Sequence, residues 1–254
     1  MVLKFGGTSV ADVSQIKKIS HKVKYEVDQG NKVIVVVSAM SGVTNSLIEL
    51  VKSTSDLASY SEYDVVLSTG EQVTAALLTI ALNSFKIKTR SWLGWQVPII
   101  TDNTHGKAVI EEVKTLNILE SFKKNQVAVV SGFQGISFDN RITTLGRGGS
   151  DTSAVAIAAA FGAERCDIYT DVDGVYTTDP RIVKSAKKLD HITYEEMLEL
   201  ASQGAKVLQT RSVALGMKYG VNLRVLSSFE DLPGTFILKE DCNMEKSEIS
   251  GIAH

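Results

Sequence analysis

Cysteine is scarce in this chain: Cys166 and Cys242 are its only two. Two thiols exclude a disulfide-dense scaffold and a cysteine-rich metal centre, so each reads as a small buried side chain or a free thiol. Histidine is nearly as sparse. His21, His105, His191 and His254 have no metal-ligand spacing. None flanks a glycine loop, so they read as surface or incidental residues and no Ser-His-Asp arrangement can be assembled. The formal net charge is only −2, which provides no global field for nucleic acid or an anionic membrane. The longest apolar runs, Val33–Val37 and Ala154–Gly162, fall far short of a bilayer span. Residues Met1 to Gly7 show no basic segment ahead of an apolar core, so no signal peptide is expected. The expectation is a cytoplasmic protein with neither nucleic-acid nor membrane partner.

The familiar nucleotide motifs are missing as well. The one Gly-Lys pair, Gly106-Lys107, is followed by Ala108 and so is no phosphate-binding P-loop. Gly146-Arg147-Gly148-Gly149-Ser150-Asp151 has aspartate where a dinucleotide fingerprint needs its last glycine. The protein-kinase signatures are absent too.

What is present is an ordinary globular composition, 44% hydrophobic and 22% charged. Its most distinctive stretch is Thr143–Ala154, where three glycines and Arg147 precede an alanine-rich run. Glycine admits positive φ and lets a ligand reach backbone N–H groups. Ser150, Asp151 and Thr152 are all good helix caps. A glycine turn feeding a helix N-terminus suits phosphate or carboxylate, and Arg147 adds a two-pronged contact to either.

Buried-type strands are predicted at Val2–Phe5, Val33–Val37, Gln126–Val130 and Cys166–Thr170, with weaker ones at Ile87–Trp92, Pro98–Asn103, Val221–Leu226 and Thr235–Leu238. Arg141–Leu145 reads as part of a hairpin. Helical spacing covers Asp12–Gln29, Thr44–Ala58, Tyr63–Asn83 with an interruption at Ser68-Thr69-Gly70-Glu71, Val109–Lys124, Thr193–Ser202 and Val207–Tyr219. Thr193 and Glu196 stand at capping-box spacing. Strands alternating with helices imply an α/β three-layer sandwich around a largely parallel sheet. Ligands of such sheets sit beyond the carboxyl ends of strands. The small-residue loops at 6–9, 38–42, 131–135 and 170–176 each follow a predicted strand, so they are expected to gather at one edge as a single site.

Lys4-Phe5-Gly6-Gly7-Thr8-Ser9, Val37-Ser38-Ala39-Met40, Ser68-Thr69-Gly70-Glu71, Ser131-Gly132-Phe133, the 146–151 stretch, Tyr169 to Tyr176, Asp179-Pro180-Arg181 and Gly204-Ala205-Lys206-Val207 occur in the order found in aspartate kinases. Together they make roughly residues 2–250 resemble the catalytic domain of that family, which shares the amino-acid-kinase fold with acetylglutamate, glutamate 5-, carbamate and UMP kinases. The resemblance implies transfer of the γ-phosphoryl of MgATP to the side-chain carboxylate of L-aspartate, giving 4-phospho-L-aspartate, the first step toward lysine, threonine and methionine. It implies Lys4 and Lys206 on the transferring phosphate with Asp151 orienting them. Gly6 and Gly7 are expected at the phosphates, and Thr170, Asp171, Tyr176 and Arg181 around the rest of ATP. Ser38, Thr44, Glu71, Phe133, Arg147, Gly148, Gly149 and Ser150 are expected on the aspartate side, with Arg147 taking a carboxylate and Glu71 the α-ammonium. No protein metal cage is expected; Mg2+ rides in on ATP. One domain over 1–254 is expected, with 1–135 mainly on the amino-acid side and 136–240 mainly on the ATP side. A homodimer is implied, without a legible interface. Glu248 to His254 resembles the join into ACT-type regulatory modules, and the modules themselves are expected to lie outside this chain. The competing readings are a sibling kinase acting on another acid, such as acetylglutamate, and a non-catalytic sensor on the same fold.

Overall fold

The computed structural model describes residues 1–55, 57–205 and 207–239. Their centre is an eight-stranded sheet. In spatial order it runs β10 (His191–Thr193), β12 (Thr235–Leu238), β11 (Leu223–Ser227), β9 (Cys166–Thr170), β1 (Val2–Phe5), β2 (Ile34–Val37), β6 (Val127–Ser131) and β3 (Thr89–Trp92). Every pairing is parallel except β11 with β12.

Strands buried on both faces need apolar side chains at nearly every position, and β2 is isoleucine and valine throughout. Alternation divides the core in two. Val2, Ile34, Val36 and Val130 face α5 (Gly149–Ala160) and α7 (Thr210–Tyr219). Leu3, Phe5, Val35 and Val129 face α1 (Val13–Asp28) and α3 (Tyr60–Ser84). The result is the expected three-layer sandwich, each fully buried Val, Leu, Ile or Phe adding about 1.5–3 kcal/mol. Helix α5 is buried along most of its length, which explains its alanine-rich, non-amphipathic sequence.

The local signals hold at several ends. Thr193 and Glu196 form both halves of the expected box that opens α6 (Tyr194–Ser202), while Asp12, expected as the first residue of its helix, stands just before α1 and caps it through its side chain. Other expectations fail. Helix α3 runs without a break through Ser68–Glu71. Gly70 is there because a Cβ would stand 2.8 Å from that of Ala39, so the small residue permits a close crossing instead of breaking the helix. The helix expected over Val109–Lys124 is instead strand β5 (Ile110–Val113) followed by α4 (Leu116–Lys123). β5 joins a separate four-stranded sheet with β4 (Ile99–Thr101), β7 (Gln134–Ser137) and β8 (Ile142–Thr144), and tertiary pairing overrides its local helical spacing. β7 and β8 form the hairpin expected around Arg141–Leu145. α2 (Val43–Thr54) ends four residues earlier than expected. By length and composition alone α3 meets the criterion for a membrane span, yet it packs against α1, α2 and strands of both sheets.

Candidate active site

Strands β9, β1, β2 and β6 lie side by side and parallel, with Tyr169, Phe5, Val37 and Ser131 in register. The four small-residue loops therefore emerge together at one edge, as expected. Between them lies an open cavity of about 490 Å³ lined by Lys4, Gly6, Gly7, Ser38, Thr44, Glu71, Phe133, Arg147, Gly148, Gly149, Ser150, Asp151 and Thr170. Both halves of the chain contribute to its wall. A second cavity, of about 500 Å³, lies at the opposite edge around Met1, Leu119 and Phe161 and contains none of these residues.

Lys4 is mid-strand in β1 yet nearly buried, because its ammonium reaches the Asp151 carboxylate at 2.5 Å. This is an ion pair without hydrogen-bond alignment, and Asp151 Oδ1 has no hydrogen-bond partner. Asp151 sits in the first turn of α5, where backbone N–H groups lack helical acceptors and the helix dipole favours negative charge. Gly6 leaves room for an anion beside Lys4, since a Cβ there would stand 3.3 Å from Nζ, while Gly7 admits close approach of the next loop, since a Cβ there would stand 3.2 Å from the Ala39 carbonyl. The residues fit a polyphosphate.

Glu71 is the other buried acid in the cavity wall, 3% exposed. Oε1 accepts the Ala39 N–H at 3.0 Å, and Oε2 has no hydrogen-bond partner. Burial pushes its carboxyl up to about 7 against the pull of the Ala39 amide. Across the cavity the chain passes through Gly146 (φ +75°) and Gly148 (φ +70°), both left-handed, before α5 begins. Gly148 packs so closely on Gln209 that a Cβ would meet its Cγ at 2.0 Å. Arg147, between the glycines, is exposed. Phe133 also takes positive φ (+66°), and its N–H donates to Ser153 Oγ at 3.1 Å.

Three expected ATP-side residues lie outside the cavity, on the segment that follows β9. Asp171 accepts from Thr170 Oγ1 at 3.0 Å, Tyr176 donates its hydroxyl to Asp173 at 2.9 Å, and Arg181 forks onto Asp179. Lys206 lies outside the described residues, as do Cys242 and the 248–254 join. Cys166 is buried and free. Among the described residues no group of three or more His, Cys, Asp or Glu side chains is placed to hold a metal ion.

Sequence reasoning missed one cluster. His105 is not incidental: its Nδ1 lies 2.7 Å from Asp64, a fully buried carboxylate on α3. The available signal was an aspartate seven residues before Glu71, two helical turns away on the same face of an apolar helix.

Residues 1–227 match the profile of the amino acid kinase family. The chain is similar to an aspartokinase of Rickettsia felis, 53% identical over 99% of this chain and 64% of that protein. It is also similar to the crystal structure of an aspartate kinase from Synechocystis, with a TM-score of 0.84 and 45% identity over 94% of this chain and 40% of the other. E. coli aspartokinase III in complex with aspartate and ADP aligns with a TM-score of 0.84 at 28% identity, over 95% of this chain and 65% of the other. The chain spans a little under two thirds of the length of the curated relatives it matches first, 63–64%.

Proposed function

The chain belongs to the amino acid kinase family, and from that premise we propose that it is the catalytic part of an aspartate kinase, transferring the γ-phosphoryl of MgATP to the side-chain carboxylate of L-aspartate. The observation that carries the reading is Glu71: a buried carboxylate with one unpartnered oxygen, in the wall of the same cavity as Arg147. A buried, unfilled carboxylate oxygen calls for a cationic or hydrogen-bonding partner from the ligand. An α-ammonium meets that need, and Arg147 takes a carboxylate. The amide N–H of acetylglutamate can donate a hydrogen bond but carries no charge to balance the ionised Glu71. The similarity to aspartokinases supports the same acid.

The acceptor carboxylate is ionised near neutral pH, so no general base is required. The work of the site is to hold two anions together and neutralise charge on the transferring group. Lys4, Lys206, the amides of Gly6 and Gly7 and the first turn of α5 serve that purpose, and Asp151 orients Lys4. Adenosine is assigned to Thr170, Asp171, Tyr176 and Arg181. Magnesium, arriving on the nucleotide, supplies further neutralisation of phosphate charge. The reading includes a cytoplasmic homodimer, which light scattering checks. The Lys4–Asp151 pair also argues against a non-catalytic sensor, which has no need of an oriented phosphate lysine.

The experiment is acyl-phosphate trapping: the chain with MgATP, hydroxylamine and, separately, aspartate, glutamate, acetylglutamate or no acid. Hydroxamate with aspartate alone supports the proposal. Product with another acid overturns the substrate, and no product while ATP binds overturns the catalytic reading.

A further inference from the structure

We propose that Asp64 and Arg211 are positioning residues that hold the end of β8 from two sides and thereby set where Arg147 stands. The inference rests on Arg147 being the cation for the substrate carboxylate. Neither residue lines the cavity.

Asp64 is 0% exposed. Thr144 Oγ1 donates to it at 2.5 Å, the Gly106 N–H lies 3.1 Å from each of its oxygens, and His105 Nδ1 completes the set at 2.7 Å. A buried carboxylate is stable only when donors surround it, so this cluster favours one arrangement of α3, the 105–106 turn and β8. Arg211, on α7, donates Nη1 to the Leu145 carbonyl at 2.9 Å and Nη2 to the Ala108 carbonyl at 2.6 Å. Its rigid fork fixes the spacing of those two carbonyls. Residues 144 and 145 are thus both held immediately before Gly146. There the loop meets the same turn, since a Cβ on Gly146 would stand 3.0 Å from the Gly106 carbonyl.

Arg147 is exposed, so the backbone that carries it sets the region its long side chain can reach. A binding group held in place before the ligand arrives avoids an ordering cost on binding. This is what the clamp supplies.

Thr144→Val removes one donor to Asp64 at nearly constant volume, and Thr144→Ser restores it. Arg211→Gln removes the fork from the other side. Two measurements are made on each variant: amide hydrogen exchange in the 145–149 segment, and steady-state kinetics with aspartate and ATP varied separately. Expected for Thr144→Val and Arg211→Gln are exchange faster by about tenfold and an aspartate KM raised by about tenfold, with kcat and the ATP KM within about twofold. Thr144→Ser is expected near wild type in both. Unchanged exchange in both variants overturns the clamp whatever the acid substrate is. Faster exchange with an unchanged aspartate KM overturns its positioning role. Faster exchange in a chain whose wild type phosphorylates another acid supports the clamp and overturns only the substrate reading.

Discussion

Lys4 and Asp151, 147 residues apart in sequence, meet as an ion pair at 2.5 Å with side chains only 9% and 12% exposed. Removing one partner of such a pair leaves a nearly buried charge. Lys4→Met should therefore lower stability by about 3 kcal/mol, and Lys4→Met combined with Asp151→Asn should recover most of that loss in urea titrations. Asp151→Asn alone should lower kcat at least about tenfold without raising the ATP KM, because it frees the lysine from its orienting partner while removing a negative charge near the phosphates. A raised ATP KM with normal kcat would contradict the assigned role. Lys206→Ala should lower kcat by orders of magnitude with a modest effect on aspartate affinity; near-normal turnover removes Lys206 from the mechanism.

Glu71 introduces a pH dependence of definite sign. Burial raises its folded-state pKa to about 7 from 4.5, so the folded protein holds the proton more tightly than the unfolded chain. Its contribution to stability is fully present below the unfolded value and is lost as pH rises through about 7. On the proposed function, aspartate binding has the opposite preference, since an ammonium pairs with the ionised form. The aspartate KM should fall as pH rises from about 6 to about 8, with proton release on binding detectable by calorimetry in buffers of different ionisation enthalpy. Glu71→Gln should flatten both profiles, and a pH-independent aspartate KM in the wild type removes Glu71 from the ammonium site.

Arg147 separates binding from folding. It is exposed, so Arg147→Ala should leave the melting temperature within about 2 °C. Aspartate use should still fall by the equivalent of about 2–5 kcal/mol, the cost of a lost charged pair. Unchanged aspartate kinetics would remove Arg147 from the site.

Gly148 and Gly30 form a matched comparison. Both have left-handed φ (+70° and +84°), but a Cβ at Gly148 would strike Gln209 while one at Gly30 meets nothing within 4 Å. Gly30→Ala should cost about 1 kcal/mol, the backbone strain alone, with normal kinetics. Gly148→Ala should cost more and raise the aspartate KM, because displacing the loop moves Arg147. Equal losses of stability from the two substitutions would show that the contact with Gln209 does not hold the loop.

Much of the fold was legible wherever cause and effect lie close in the chain. The valine run of β2 required burial on both faces, and Thr193 and Glu196 marked a helix start through bonds within one turn. Glycine loops after four apolar strands pointed to one edge, because parallel strands carry their carboxyl ends the same way. Ser68-Thr69-Gly70 was misleading because a glycine that permits a close helix crossing has the same local sequence as one that breaks a helix.

The sequence by itself determined the alternation of strands and helices and the gathering of the phosphate- and carboxylate-suited loops, since these follow from side-chain type and short-range geometry; most residues of the cavity wall were legible only through the resemblance to aspartate kinases. Only the tertiary structure decided which charges lose water and which partners they gain. Glu71 becomes a proton-holding acid because α3 packs it behind Ala39, and Asp64 meets His105 and Thr144 at sequence separations of 41 and 80. Desolvation and long-range pairing depend on what surrounds a group in three dimensions, and no local pattern of residues encodes that.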